Sequence, residues 1–186
     1  MKRQSPFIHA TLALTTCLSL GKIPASWSAT LGCAAAPTSS LVVNVKDKGA
    51  RGDAKTDDTA AIQAAIDQAA GNGGTVLVPA GTYMVSTVGE NRVTLRSNMM
   101  LRLSQHAVLR AIPNSSDKYA VLHIPGAANV TVVGGTLEGE RTEHMGKTGE
   151  WGMGIRINNG SEHITISGVV VKEMWGTDSM LRVPMM

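Results

Sequence analysis

Apolar positions along the chain follow two different periods. Ile62, Ala65, Ile66 and Ala69 recur at intervals of three and four, which predicts one amphipathic helix over about residues 57–70. The polar run 57–59 supplies hydrogen-bond acceptors for the free N–H groups at the start of this helix, and glycines at positions 71, 73 and 74 end it. Beyond this helix the apolar residues follow a shorter period.

After the helix, apolar and polar residues alternate in short segments that glycine-containing turns separate. This period of two predicts short β-strands, which need stacking because isolated hairpins of that length are unstable. Before the helix, Val43 and Val45 predict one further strand, and the run Gly49–Thr56 predicts a turn rich in Gly and Asp. The strands predicted after the helix, in coils over about residues 75–175, are Val76–Val78, Tyr83–Val85, Val93–Leu95, Leu101–Leu103, Ala107–Leu109, Val121–Ile124, Val130–Val133, Ile155–Ile157, Ile164–Ile166 and Val169–Val171.

Two of the strand pairs repeat after 33 or 34 residues. Residues 122–124 (LHI) and 129–132 (NVTV) match residues 155–157 (IRI) and 163–166 (HITI), and a weaker copy lies at 93–95 and 101–103. A repeat of this length made of short strands predicts a solenoid, here a parallel β-helix whose open end the helix covers. His123 and Arg156 alternate with inward apolar residues, so we expect them to point outward.

Composition and charge narrow the function classes. The chain has 186 residues, the length of about one domain, and only 3% aromatic residues, so we expect a core of Val, Ile, Leu, Met and Ala. The formal net charge is +3, but Lys2, Arg3 and Lys22 all precede the first acidic residue, Asp47. The remaining chain has no net charge, which argues against a nucleic acid as partner.

Residues 1–36 have the order of an export signal, with two basic residues, a short apolar stretch and then small residues. The apolar stretch over residues 8–20 is too short to span a membrane. We therefore expect a periplasmic or extracellular protein, and lipoprotein anchoring at Cys33 is the alternative. Cys17 and Cys33 both lie in this segment, so the rest of the chain offers no disulfide and no cysteine nucleophile.

The sequence also resembles a known superfamily. The run KDKGARGDAKTDDTAAIQAAIDQA, followed by GGTVLVPAGTYMV and NVTVVGGTLEGE, is similar to the opening of proteins of the pectate lyase superfamily. The nearest relatives implied are polygalacturonase-like glycoside hydrolases and epimerase-like pectate lyase domains. The resemblance implies an all-β fold, a right-handed, single-stranded parallel β-helix with an N-terminal capping helix, and a polysaccharide partner that is acidic for many members. It leaves open whether this chain is an enzyme, because the superfamily also contains phage tailspikes.

The segment 138–151 holds the densest set of reactive side chains and interrupts the repeat. Insertions on solenoids commonly lie over the binding face, so we predict that it contacts sugar; the alternative is a solvated polar loop in which Trp151 covers the stack. A hydrolase needs an acid and a base across the glycosidic bond, whereas a lyase or epimerase needs a base and a cation beside the uronate carboxylate. The segment has side chains for either chemistry. The predicted substrate-binding residues are Glu140, Arg141, His144, Lys147, Glu150 and Trp151.

No cofactor or metal site is predicted. Asp53, Asp57 and Asp58 lie near glycines, as in a Ca²⁺ loop, but the alternating ligand spacing and the terminal Glu of such a loop are missing. Helix capping and a tight turn explain these carboxylates better. Ca²⁺ enters the interpretation only if a longer parent protein is a lyase.

The carboxyl-terminal end departs from the superfamily pattern at Thr177. The hydrolase signature that the resemblance implies, Asn-x-Asp, Asp-Asp, His-Gly and Arg-x-Lys in that order, is missing, and Asp57-Asp58 belongs to the capping helix. We therefore expect residues 37–186 to be the N-terminal part of a truncated β-helix domain, with an aberrant tail over 177–186 that a one-base deletion near codon 176 would explain.

The expected function follows from this interpretation. The chain is an N-terminal fragment, inactive alone, of a secreted polysaccharide hydrolase, lyase or epimerase. The alternative is a non-catalytic carbohydrate-binding or structural β-helix of the adhesin or tailspike kind. No oligomeric state is predicted.

Overall fold

The structure is a computed structural model that describes residues 39–149 and 151–176. The predicted export segment and the predicted aberrant tail lie outside the described residues. In the described part, one α-helix forms, α1 (Thr59–Ala70), with 3₁₀ turns at Val45–Lys48 and Arg141–Glu143. The strands are β1 (Val42–Asn44), β2 (Asp53–Asp57), β3 (Thr75–Val78), β4 (Gly81–Val85), β5 (Met99–Leu103), β6 (Ala107–Ala111), β7 (Lys118–Pro125), β8 (Ala128–Val133), β9 (Thr136–Glu138), β10 (Trp151–Asn158), β11 (Glu162–Ser167) and β12 (Val170–Lys172).

The paired strands of the described residues are all parallel and form three sheets. Sheet A has the order β1-β3-β5-β8-β11, sheet B has the order β2-β4-β6-β9-β12, and sheet C pairs β7 with β10. Neighbouring strands of a sheet come from successive coils of the chain, so the ladder hydrogen bonds join each coil to the next. The fold is a parallel β-helix, which confirms the predicted fold class.

The register of the sheets confirms the sequence repeat. Leu122 lies beside Ile155, 33 residues later, in sheet C, and Val130 lies beside Ile164, 34 residues later, in sheet A. The weaker copy aligns as well, because Thr94 forms an isolated bridge with His123. The repeat length is therefore the number of residues in one coil.

The core is a stack of apolar side chains inside the coils. In sheet A, Val76, Leu101 and Val132 lie side by side and are fully buried. Each such side chain contributes about 1.5–3 kcal/mol relative to exposure. The expectation of a wholly aliphatic core was wrong in one respect, because Tyr83 and Tyr119 are both buried in it as well.

The helix α1 covers the amino-terminal end of the stack. Its buried face contains Ile62, Ala65, Ile66 and Ala69, the residues that the helical spacing predicted. Gln63 extends this cover to the backbone of Thr94: its Oε1 accepts from the Thr94 N–H at 2.8 Å, and its Nε2 donates to the Thr94 carbonyl at 3.1 Å. One side chain thus takes the place of a neighbouring strand at this exposed edge.

The two aspartates before α1 have different roles. Asp57 accepts from the backbone N–H of Thr59, as predicted for a residue at a helix start. Asp58 makes no side-chain capping bond to the helix; its carboxylate accepts instead from the backbone N–H groups of Arg51 and Gly52 at 2.6 and 2.9 Å. The prediction that Asp58 also caps the helix was therefore wrong, since the preceding turn occupies both of its oxygens.

One left-handed backbone position recurs at the entrance to sheet A. Gly73, Asn98, Asn129 and His163 have φ values of 65°, 58°, 58° and 53°, and they lie at equivalent places before β3, β5, β8 and β11. Asn129 also donates from Nδ2 to Oδ1 of Asn98 at 2.9 Å. Gly and Asn are the residues that adopt this conformation most readily, so the turn is specified in the same way in several coils.

Three strand predictions needed correction. β2 forms where the pattern predicted a turn; its side chains are mostly exposed, so no alternation marks it. β9 was not predicted, because only three residues separate two turns. Val93–Leu95 is not a full strand, because only Thr94 pairs with β7 while Gln63 occupies the other side. Within residues 39–149 and 151–176, α1 is 12 residues long, and no helix reaches the length and apolar content of a membrane span.

Candidate functional site

Three connecting segments lie side by side where the chain passes from sheet B to sheet C. They are 112–117 after β6, 139–150 after β9 and 173–176 after β12, and we call them the corner loops. Backbone hydrogen bonds join them: Met145 N–H donates to the Asn114 carbonyl at 2.9 Å, and Arg141 N–H donates to the Glu173 carbonyl at 3.0 Å. The reactive segment singled out in the sequence is the middle one.

Two of the predicted site residues form a buried pair inside the corner loops. Glu140 is 1% exposed, and the side chain of His144 is fully buried. His144 Nδ1 lies 2.9 and 3.0 Å from the two carboxylate oxygens of Glu140, and Asn114 Nδ2 lies 3.5 Å from Oε1. These side chains therefore bond to each other, and contact with a sugar would require the loop to open.

Aromatic residues of neighbouring coils enclose this pair. The His144 ring stacks on Trp175 with 4.2 Å between centroids and 14° between planes, and Tyr119 Oη accepts from the Trp175 backbone N–H at 3.0 Å. Burial, with a further contribution from the Glu140 charge, raises the pKa of Tyr119 to about 12. The Tyr119 hydroxyl therefore stays neutral at physiological pH and acts as a structural hydrogen-bonding group.

The other predicted site residues separate into a structural group and an exposed group. The Arg141 guanidinium donates to the carbonyls of Met174 and Gly176 at 2.9 and 3.1 Å, so it ties the middle corner loop to the next coil. Lys147 is exposed. Glu150 lies outside the described residues. The prediction that these residues bind substrate stays a prediction.

Trp151 begins β10 at the edge of the corner loops and is 43% exposed. It lies beside Lys118 in the register of sheet C, and the Lys118 ammonium is 5.6 Å from the centroid of its ring. This distance allows a cation–π interaction, which holds the indole and the ammonium together at the surface. The sequence analysis chose Trp151 but missed Lys118, although the 33-residue repeat places the two in adjacent coils.

A row of charged side chains crosses the outer face of sheet B beside the corner loops. Arg110, Glu138 and Lys172 are register partners in β6, β9 and β12. Glu138 lies 3.3 Å from Arg110 and 3.0 Å from Lys172, and Arg110 also contacts Glu143 at 3.0 Å. Alternating charges of this kind stack the coils but leave little net field, so this row is a structural feature.

His123 was predicted to lie at the surface, and this was wrong. It is 5% exposed, and its Nε2 has no hydrogen-bond partner among the described residues. Burial, together with the positive charges of Arg92 and Arg156, lowers the pKa of His123 to about 4. The ring is therefore neutral at pH 7.

The carboxylates considered for Ca²⁺ do not fit that ion. Asp53 accepts from the backbone N–H groups of Lys55 and Thr56 at 3.0 and 2.8 Å, and these bonds hold its pKa down at about 2. The two oxygens of Asp58 accept from the turn described above. Across residues 39–149 and 151–176, no three His, Cys, Asp or Glu side chains are grouped so as to hold a metal ion.

Comparison with known proteins adds to this geometry. A family model described as rhamnogalacturonase A/epimerase, pectate lyase-like, matches residues 42–95. The chain is 39% identical over 145 residues to mannuronan C5-epimerase AlgE4 of Azotobacter vinelandii, which covers 72% of this chain and 26% of that protein. The chain thus spans about a quarter of that relative.

Two solved structures extend the similarity. The A-module of mannuronan C-5 epimerase AlgE6 from A. vinelandii superimposes with a TM-score of 0.62 at 36% identity, over 72% of this chain and 38% of that one. PfbA, a surface adhesin of Streptococcus pneumoniae, gives a TM-score of 0.57 at 29% identity, over 71% of this chain and 33% of that one. The chain is a parallel β-helix protein of the pectate-lyase-like superfamily, which confirms the resemblance seen in the sequence.

Proposed function

We propose that the chain is the N-terminal, polysaccharide-binding part of an exported β-helix protein that acts on a uronate polysaccharide. The observation that carries the proposal is the exposed pair of Trp151 and Lys118 at the corner loops. An indole face stacks on the C–H face of a pyranose ring, and an ammonium group beside it pairs with a sugar carboxylate. The exposed Lys147 on the adjoining segment adds a second cation for the same class of ligand.

The reaction proposed for the longer protein is removal of the proton beside the uronate carboxylate. A base takes that proton, and a nearby cation offsets the charge that develops on the carboxylate. Return of a proton to the opposite face gives the epimer, whereas loss of the glycosidic oxygen gives the unsaturated product of a lyase. The 39% identity to AlgE4 supports the first outcome over hydrolysis.

We further propose that this chain is inactive by itself. Glu140 and His144, the acid–base pair of its corner loops, are buried against each other, so neither is placed to reach a sugar. The base for the reaction would then come from coils that the longer relatives contain. Export and the truncation near residue 176 belong to this proposal and concern residues outside the described ones.

Binding to defined polysaccharides tests the proposal. Polymannuronate and polygalacturonate are expected to bind the purified chain and change its tryptophan fluorescence, whereas neutral dextran is not. Trp151→Ala and Lys118→Gln should each weaken binding about tenfold. Val42→Ala and Lys55→Gln remove exposed groups on sheets A and B and serve as matched controls. Equal binding by all four variants, or no binding to either polyuronate, contradicts the proposal.

The reaction requires a separate assay. Incorporation of deuterium at C5 of polymannuronate in D₂O reports proton removal, formation of unsaturated uronate reports elimination, and new reducing ends report hydrolysis. We expect no turnover from this chain, and turnover from a gene product whose reading frame is restored after codon 176. Turnover by the chain itself would contradict its proposed inactivity.

The second candidate is a non-catalytic binding β-helix. The specific observation in its favour is the similarity to the adhesin PfbA, with 29% identity and a TM-score of 0.57. A protein of this kind would bind polysaccharide through the same Trp151 and Lys118. It would show none of the three products even when extended, and resequencing of codons 170–186 would find no downstream frame with further coils.

A further inference from the structure

His123, in the middle of β7, combines burial with an unpaired ring nitrogen. Its Nε2 is buried and has no partner in the described part of the chain, while the rest of the ring contacts the backbone of Ala120. Native proteins seldom leave a buried polar atom in this state, and a bound ion or ligand is one of the recurrent reasons. The position therefore requires an explanation beyond packing.

Two arginines approach the same ring from the neighbouring coils. Arg156 in β10 is the register partner of His123. Arg92 directly precedes Val93, whose carbonyl accepts from the His123 backbone N–H at 3.0 Å. Neither arginine forms an ion pair with a residue in 39–149 or 151–176. Two guanidinium groups thus converge on a neutral ring without a counter-ion from the described chain.

Carboxylates lie near Arg92 only on the side of α1. There, Arg92 borders a cavity of about 460 Å³ that Asp57, Asp67 and Glu90 also line. Asp67 is paired with Arg96 at 2.7 Å. On the sheet C side the charged groups that act on the His123 ring are Arg92 and Arg156, and both are positive. The uncompensated positive charge is therefore concentrated around His123.

We propose that Arg92, His123 and Arg156 form a subsite for a carboxylate group, supplied by a uronate unit of a polysaccharide. This identity of the ligand rests on the function proposed above. A guanidinium group can donate two parallel hydrogen bonds to a carboxylate, and a protonated imidazole adds a donor at Nε2, the atom that lacks a partner. The bound anion supplies an opposite charge, so binding raises the pKa of His123 from its low free value and takes up a proton.

The subsite is separate from the pair at the corner loops. Lys118 and Trp151 lie five residues before His123 and Arg156 in the same two strands. Five residues of parallel strand correspond to about 16 Å, so a single polysaccharide chain is long enough to reach both places. The subsite would then fix the position of the polysaccharide relative to the corner loops.

An NMR titration of the His123 imidazole in the full chain tests the subsite. Its pKa should lie near 4 in the free protein and rise to about 5 or higher with short oligomers of mannuronate or galacturonate. A neutral dextran oligomer should leave the titration unchanged. Arg92→Gln and Arg156→Gln should each weaken oligouronate binding about tenfold. Arg102→Gln, which removes an exposed arginine of β5 in sheet A, should have no effect.

The outcomes separate this inference from the proposed function. If oligouronates bind in a Trp151-dependent manner but the His123 titration and the two arginine variants show no response, the subsite is refuted while the function survives. If acetate shifts the His123 titration and oligouronates do not, the site takes a free small anion and the polysaccharide assignment is overturned. A His123 response that either arginine variant abolishes and Arg102→Gln retains supports the subsite.

Discussion

Gln63 offers a direct test of how the helix closes the end of the stack. Its amide bonds both the N–H and the carbonyl of Thr94, so Gln63→Ala leaves both backbone groups without their protein partner. A net contribution of about 1 kcal/mol for each hydrogen bond gives a local loss of about 2 kcal/mol. Because 1.4 kcal/mol is a factor of ten, hydrogen exchange of the Thr94 amide should accelerate about 30-fold.

The assay is amide hydrogen exchange with residue resolution, and the chain provides a matched control. Gln68→Ala removes the same side chain from an exposed position of α1, so it carries the same change in helix propensity without touching Thr94. Exchange of the Thr94 amide should be unchanged in that variant. If Gln63→Ala leaves Thr94 as protected as in the wild type, the amide does not act as a substitute strand and our account of the cap is wrong.

A second substitution at the same position adds a pH dependence. In Gln63→Glu the introduced carboxylate faces the Thr94 carbonyl and the carboxylate of Asp67, which lies 3.0 Å from the present Nε2. Both contacts favour the protonated form, so its pKa in the folded state is raised above the unfolded value of about 4.3. The variant should approach wild-type stability near pH 4 and lose stability as the pH rises through the folded pKa, which urea unfolding at both pH values measures.

Three other predictions concern the coils themselves. A Cβ on Gly134 would lie 2.6 Å from a backbone carbonyl of β5, whereas a Cβ on Gly160 would meet nothing within 4 Å, and both have positive φ; Gly134→Ala should therefore lower the thermal midpoint clearly more than Gly160→Ala. Tyr119→Phe leaves the Trp175 backbone N–H unpaired and should cost about 1–3 kcal/mol in urea unfolding. The Asp53 carboxyl should titrate by NMR near pH 2, and its stabilising effect should be lost as the pH falls from about 4 through this value, so Asp53→Asn should remove that part of the acid sensitivity.

The sequence predicted those parts of the fold that the coil repeat controls. Parallel strands stack in register, so a coil of fixed length returns each inward residue to the same place, and residues 122–132 therefore match 155–166 by eye. β2 escaped prediction because DAKTD is an exposed edge strand whose pairing depends on β4 rather than on its own pattern. Local periodicity cannot reveal a strand that is defined by its neighbour.

The candidate site was less predictable than the fold. The spacing of Glu140 and His144 allowed their contact, but their burial depends on Trp175, which belongs to the next coil and stacks on His144. The repeat would have brought Lys118 beside Trp151 if it had been extended to the first residue of each strand. His123 was assigned to the surface from alternation alone, which takes no account of arginine side chains covering it.

The left-handed position before each strand of sheet A has a consequence for how such a protein can change in length. Asn98, Asn129 and His163 share one backbone conformation at one place in successive coils. Inserting a single residue into a strand would turn its inward side chains outward, whereas inserting a whole coil that carries this position would leave every existing pairing intact. Duplication of one coil should therefore lengthen the rod by one strand spacing of about 4.8 Å and preserve both of its ends. In this architecture the coil, and not the residue, is the unit in which length can be gained or lost.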